Sequence, residues 1–157
     1  MAAVHTYNIH LKWTGNNGTG TETYRGYSRD HTISTGGKPE LLASSDPHFR
    51  GNKERYNPEE MLLASVSSCH MLSYLHLCAV NKIVVVEYSD HPIGKMIESP
   101  DGSGRFEEIS LNPAIVVTEK AMIEKATALH HEANKLCFIA NSLNFPVRHF
   151  PAVMAME

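Results

Sequence analysis

The residues in this chain best suited to covalent chemistry are its three cysteines, Cys69, Cys78 and Cys137. A thiolate is a strong nucleophile, and two apposed thiols can give up two electrons by closing a disulfide. Spacing limits which two can meet. Cys69 and Cys78 are nine residues apart in a stretch that reads as one helix. They therefore point to opposite faces, about 13 Å apart along the axis, and cannot pair while that helix is intact. Cys78, flanked by Leu77, Ala79 and Val80, reads as a small buried hydrophobe. Cys69 and Cys137 fall at comparable depth in the two longest predicted helices, each on the stripe expected to face the core. Helices packed about 8–10 Å apart can bring such sulfurs within disulfide reach, and Ser65, Ser68 and Ala140 are small enough to permit it. Two readings stand: a reversible Cys69–Cys137 disulfide, or two inert buried thiols.

The helix carrying Cys69 has a complete start signal. Asn57 can cap, Pro58 fits the first helical position, and Glu60 lies where a capping-box side chain reaches back. From Met61 to Val80 nearly every position is apolar or small, which predicts a helix buried all round. A second long helix is predicted from a Thr118 cap to about Asn141, with a stripe of Ala126, Leu129, Ala133, Leu136, Cys137 and Ala140. Upstream of the first helix, residues 3–13 read as a strand and Asn16 to Gly20 as a turn. Residues 21–34 are strand-like in composition, and 35–56 form a long loop. Between the helices come a strand at 83–88 and a hairpin of 93–98 and 105–111 around Asp101-Gly102-Ser103-Gly104. A continuation at 115–117 follows the Pro113 break. Residues 145–154 read as one short closing strand. The order of strands, helix, strands, helix, strand is α+β, in a single domain spanning residues 1–157.

Composition narrows the function classes. A net charge of −3 and a pI near 6.4 give no electrostatic basis for binding nucleic acid or an anionic membrane. The first residues lack the basic and apolar regions of a signal peptide. His70 and His76 interrupt the most apolar run, so no membrane span is expected. An odd, small cysteine count argues against a secreted disulfide framework and for a reducing, cytoplasmic setting. A zinc site built from Cys69, His70, His130 and Cys137 would be a rival use of the cysteines. No CxxC or HxxxH spacing supports it, and the expectation is no metal and no cofactor.

Several of these segments together carry a resemblance. Asn57-Pro58-Glu59-Glu60-Met61-Leu62 is followed by Ser67-Ser68-Cys69-His70, and His131-Glu132-Ala133 leads to Cys137-Phe138-Ile139-Ala140-Asn141-Ser142. With Tyr27-Ser28-Arg29-Asp30-His31, Asp101-Gly102-Ser103-Gly104-Arg105-Phe106 and Asn144-Phe145-Pro146-Val147, the chain resembles the osmotically inducible protein C and organic hydroperoxide resistance (OsmC/Ohr) superfamily. The resemblance implies an OsmC-like fold, with antiparallel sheets around two central helices in an intertwined homodimer. It also implies a cytoplasmic thiol peroxidase acting on organic hydroperoxides. Cys69 matches the peroxidatic cysteine and Cys137 the resolving one, with an intramolecular disulfide between them that a dithiol of dihydrolipoyl or similar type reopens. Glu59, ten residues before Cys69, matches the assisting glutamate. The assisting arginine matches Arg29 by the pattern of one branch and Arg50 by that of the other; Arg55 is a third option, read more simply as a solvated loop charge.

The residues suit those roles chemically. A buried thiol needs a cation nearby to ionise, and a guanidinium offers both fixed charge and a fork of donors. A carboxylate behind it would lock its plane. Glu59 also has a plainer reading, as a first-turn acid favourable to the helix dipole. Since Glu59 and Cys69 are about 15 Å apart on one helix, a charge network linking them needs another element or a second subunit. A composite site at a two-fold interface is therefore expected. Many relatives carry a proline after the second cysteine where this chain has Phe138. A larger aromatic there reshapes a pocket that Met71 and Leu72 would also line. The alternative to an enzyme is a non-catalytic OsmC-like domain that binds a small hydrophobic ligand in the interface pocket.

Overall fold

The capping signal at Asn57 is realised atom by atom. In the computed structural model, which describes residues 3–157, Glu60 N–H donates to Asn57 Oδ1 at 2.8 Å and Asn57 N–H donates to Glu60 Oε2 at 3.1 Å. That reciprocal pair starts α1, Pro58–Val80. The chain divides into two compact units, one ending at Met61 and the other spanning Leu62–Glu157.

In the first unit, β1 (His10–Trp13), β2 (His31–Ser34) and β3 (Leu41–Ala43) form an antiparallel sheet in that order. Trp13 lies opposite His31, and Ile33 lies opposite Leu11 on one side and Leu41 on the other. Two expectations shift here. Residues 21–27 are turns and bends and 28–30 are irregular, rather than strand, and the third strand comes from the predicted long loop. The Asn16 carboxamide accepts the N–H groups of both Gly18 and Gly20. With φ of 112° and 58° at those glycines, the turn extends past the point where tyrosine-rich composition suggests a strand.

The second unit holds two three-stranded sheets. One has the order β4 (Val85–Ser89), β7 (Ala114–Val117), β9 (Ala152–Ala155). The other has the order β5 (Ile93–Glu98), β6 (Gly104–Leu111), β8 (Val147–His149). The β5–β6 hairpin forms as read, with Glu98 paired to Gly104. The single closing strand expected at 145–154 is instead two. β8 runs parallel to β6 and β9 parallel to β7. Pro113 separates β6 from β7 and Pro151 separates β8 from β9, so the chain changes sheets both times at a residue that cannot donate to a ladder.

The second long helix is also broken. A 3-10 turn at Lys120–Met122 precedes α2 (Ile123–Leu136), and a one-turn α3 (Phe138–Asn141) follows Cys137. Cys137 is extended (φ −72°, ψ 105°), and its sulfur accepts the Ala140 N–H at 3.4 Å. A cysteine thus takes the capping position that Ser or Asn usually fills. Thr118 does not cap the helix; its hydroxyl contacts Met122 Sδ at 3.6 Å.

α1 is not buried all round. Val66, His70, Tyr74 and Cys78 form a single buried stripe, whereas Leu72 is 63% exposed and Val80 61% exposed. The expectation that no segment suits a membrane span also changes. Over 18 residues α1 has a mean hydropathy of 1.3, long and apolar enough to cross a bilayer by length and composition. The two histidines interrupt the run without lowering its mean far enough. Core helices of water-soluble proteins meet the same criterion.

Along α1 the core changes character. Val66 packs with Ile109 and Leu111, and Tyr74 and Cys78 pack with Ile115, Val117, Ala126, Leu129 and Ala133. His70, between them in the helix, enters a polar layer. Its Nε2 shares a hydrogen with His130 Nδ1 at 3.0 Å. The His130 ring stacks on Tyr74 at 3.8 Å, and His149 lies 5.7 Å from His70. Burial and, for each, repulsion from neighbouring imidazoles push His70 down to about 4 and His130 down to about 3. Both are neutral at pH 7.

An acid dependence of stability follows. The unfolded chain protonates these histidines near pH 6.5, whereas the folded chain resists until about 4 and 3. Unfolding therefore takes up protons in that window. Stability is retained above about pH 6.5 and falls as pH drops, by roughly 1.4 kcal/mol per pH unit for each histidine. Denaturant midpoints measured from pH 7 to pH 5 should show this slope, and His130→Phe should reduce it by about one proton.

Candidate active site

The two cysteines singled out by spacing come together. Cys69, midway along α1, is partly exposed, and Cys137, at the α2–α3 break, is fully buried. Both are reduced, and the two side chains lie close enough for Cys69 to raise the Cys137 pKa. Burial first, and the Cys69 thiol second, push the Cys137 thiol up to about 11; the N–H groups of Ala140 and Ile139 pull the other way. The pair is thus asymmetric, with one sulfur reachable from outside and the other protonated and shielded. Cys78 sits apart in the apolar cluster with its pKa raised by burial, as a small hydrophobe should.

His70 turns away from the neighbouring sulfur and into the histidine layer, bonded to His130. Among the described residues, no group of three or more His, Cys, Asp or Glu side chains is arranged to hold a metal ion. No spacing in the sequence marks His149; ten histidines in 157 residues are the one sign of such a layer.

The remaining expected site residues belong to the first unit. Glu59 is in the opening turn of α1, outside the capping box that Glu60 completes, and its Oε2 is buried without a partner. The Arg29 guanidinium lies 4.4 Å from the Tyr24 ring and 4.1 Å from the Tyr27 ring. It donates to the carbonyls of Tyr27 at 2.6 Å and Tyr24 at 2.7 Å. Trp13, Tyr27, Arg29, His31 and Pro58 help line a cavity of about 350 Å³. Arg50 is exposed, closing a 3-10 turn at φ 63°. Arg55 corrects an expectation: it is no solvated loop charge but a half-buried residue whose Nε pairs with Asp30 Oδ2 at 3.3 Å. Nothing in its local sequence marks that partner, 25 residues earlier.

With this geometry in place, comparison with other proteins decides the family. The sequence profile described as OsmC-like protein matches residues 51–149. The chain belongs to the OsmC-like family. An OsmC-like protein of unknown function from Vibrio cholerae O1 biovar eltor is 29% identical. The match covers 95% of this chain and 100% of that one, with a TM-score of 0.84. An organic hydroperoxide resistance protein from Elizabethkingia anophelis shares the fold at 19% identity and a TM-score of 0.67, covering 97% and 99% of the two chains. One from Legionella pneumophila does so at 18% identity and 0.69, covering 97% and 98%. No curated protein sequence matches the chain. The OsmC-like fold thus presents a half-open and a closed sulfur side by side, with the exposed apolar residues Leu72 and Phe138 (63% and 76% exposed) close to them in sequence.

Alkylation should reveal the asymmetry. At pH 7, iodoacetamide should modify Cys69 well before Cys137 or Cys78, and peptide mass spectrometry over time gives the order. Labelling of Cys137 should accelerate steeply only towards pH 11, where its raised pKa releases the thiolate.

Proposed function

We propose that this OsmC-like protein is a thiol-dependent peroxidase that reduces organic hydroperoxides to alcohols. The observation that carries the reading is the pairing of a reachable Cys69 with a buried Cys137 close enough to shift its pKa. In the first step the Cys69 thiolate attacks the outer peroxide oxygen. The O–O bond breaks, the alkoxide takes a proton and leaves as the alcohol, and Cys69 becomes a sulfenic acid. In the second step the Cys137 sulfur attacks the Cys69 sulfur. The S–S bond forms, and the departing hydroxide leaves as water with the Cys137 proton. A dithiol of dihydrolipoyl type then returns two electrons and two protons. Shielding the second thiol suits this order, because an inert Cys137 does not itself spend the oxidant.

The same reading gives Glu59 and an arginine, Arg29 or Arg50 by family pattern, the task of favouring the Cys69 thiolate. It treats residues 1–157 as a single functional domain acting in the cytoplasm as a homodimer. The dimer is supported by α1, of whose most apolar 18 residues only 22% are buried within one chain. Covering apolar side chains such as Leu72 with a second copy would remove them from water at about 25 cal/mol per Å². Exposed Leu72 and Phe138 also favour bulky organic hydroperoxides over hydrogen peroxide as substrate.

Titration with an alkyl hydroperoxide should remove two of the three free thiols per chain, and Cys69→Ser should abolish that loss. Cys137→Ser should complete the first turnover and then accumulate sulfenic or overoxidised Cys69, detected by dimedone labelling. Loss of no thiols in the intact protein would reject the peroxidase and leave the non-catalytic, small-hydrophobe-binding reading. Light scattering should give twice the chain mass, reduced by Leu72→Glu.

A further inference from the structure

Among the described residues one side-chain hydrogen bond joins α1 to α2, that between His70 Nε2 and His130 Nδ1 at 3.0 Å. Its position is informative. His70 directly follows Cys69 on α1. His130 lies on α2, seven residues before Cys137, which directly follows the last residue of that helix. The other contacts between these helices are apolar, made by side chains such as Tyr74, Cys78, Ala126, Leu129 and Ala133. Apolar contacts are non-directional and tolerate sliding, whereas a buried hydrogen bond between two rings admits one register.

No other side chain of the surrounding layer bonds to either ring. Asp90, the carboxylate nearest in effect to His70, has its oxygens taken by Ser67 Oγ at 2.6 Å and Asn112 N–H at 2.7 Å. Tyr74 from α1 and Tyr88 from β4 present hydroxyls with no bonded partner; the His149 ring from β8 lies tilted beside His70, and His131 from α2 lies tilted against His149, neither bonding to the pair. His70 Nδ1 and His130 Nε2 are themselves unpartnered. Each ring is therefore bonded to the other alone. An apolar pair of similar volume would avoid leaving those atoms unmet, so the polar pair costs stability that a purely packing role would not require.

We infer that His70 and His130 are positioning residues for the dithiol: their hydrogen bond sets the register of α1 on α2 and so holds Cys69 against Cys137 for closure. The inference rests on the reading that these two cysteines form the working disulfide. It assigns the histidines no proton transfer to substrate.

The test is the equilibrium between the dithiol and oxidised glutathione in a Cys78→Ser background. Two protein thiols give up two protons and two electrons as the S–S bond forms, and one oxidised glutathione is cleaved to two thiols. Removing the brace by His130→Phe should weaken the protein disulfide at least tenfold against glutathione, which for two electrons raises its potential by about 30 mV. His130→Asn, whose amide can restore a partner near the Nδ1 position, should recover the wild-type constant to within about threefold. The double variant His70→Phe/His130→Phe, which leaves no unpaired nitrogen, should match the single one and serves in its place if His130→Phe does not fold. A role in packing alone would move the melting temperature but not the glutathione equilibrium. Folded phenylalanine variants within twofold of wild type would overturn the inference while leaving the dithiol reading intact. Failure of the wild-type protein to close a Cys69–Cys137 disulfide in any glutathione buffer would instead remove that reading, and the inference with it.

Discussion

Two thiols from segments 68 residues apart lie side by side, one half-exposed and one buried, and the backbone on both sides is shaped to allow it. Sulfur-to-sulfur approach demands that two backbones come close, which large side chains would prevent. α1 meets the demand with Ser65 and Ser68 in the turn before Cys69. The other side meets it by breaking the helix. With Cys137 in an extended conformation, its sulfur is anchored on the N–H of Ala140 rather than carried round the helix surface. The anchor fixes the direction of Cys137, and burial keeps it protonated.

The core behind this contact alternates apolar, polar, apolar along a single stripe of α1. Val66 and Tyr74 with Cys78 join separate apolar clusters, and between them His70 enters a layer of stacked imidazoles and phenols. Such a layer is costly, because each imidazole must remain neutral and several of its polar atoms lack partners. The two apolar clusters and the paired strands offset that cost. A layer of this kind gives the packing a defined register, which uniform apolar packing supplies less well.

Family membership and local geometry bear on different questions. The match over residues 51–149 establishes the OsmC-like family. The hydroperoxide resistance proteins that share the fold are under 20% identical to this chain, and at that distance the likeness is one of architecture. The case for chemistry therefore comes from the sulfurs themselves, from their contact, their unequal exposure and the raised pKa of the inner one. Arg29 illustrates the same point in the other direction. Its place in the sequence suits a catalytic cation, but two tyrosine rings and two backbone carbonyls already engage its guanidinium.

Local signals were enough to read the features that local chemistry creates. The capping box at Asn57 and Glu60, the extent of α1 and the β5–β6 hairpin each depend on residues a few positions apart, and each could be read directly. The meeting of Cys69 with Cys137 could be foreseen as one of two alternatives from helix periodicity, with family resemblance weighting the choice. Long-range packing decided the rest. The chain crosses between sheets at Pro113 and Pro151 because each strand pairs with a partner tens of residues away. The break at Cys137 interrupts a helical apolar pattern that runs through it unchanged. The Asp30–Arg55 pair and the His70–His130 bond join residues whose flanking sequences give no sign of each other. Periodicity tells which side of an element faces inward; which groups meet there depends on how distant segments pack, and that is a property of the folded chain.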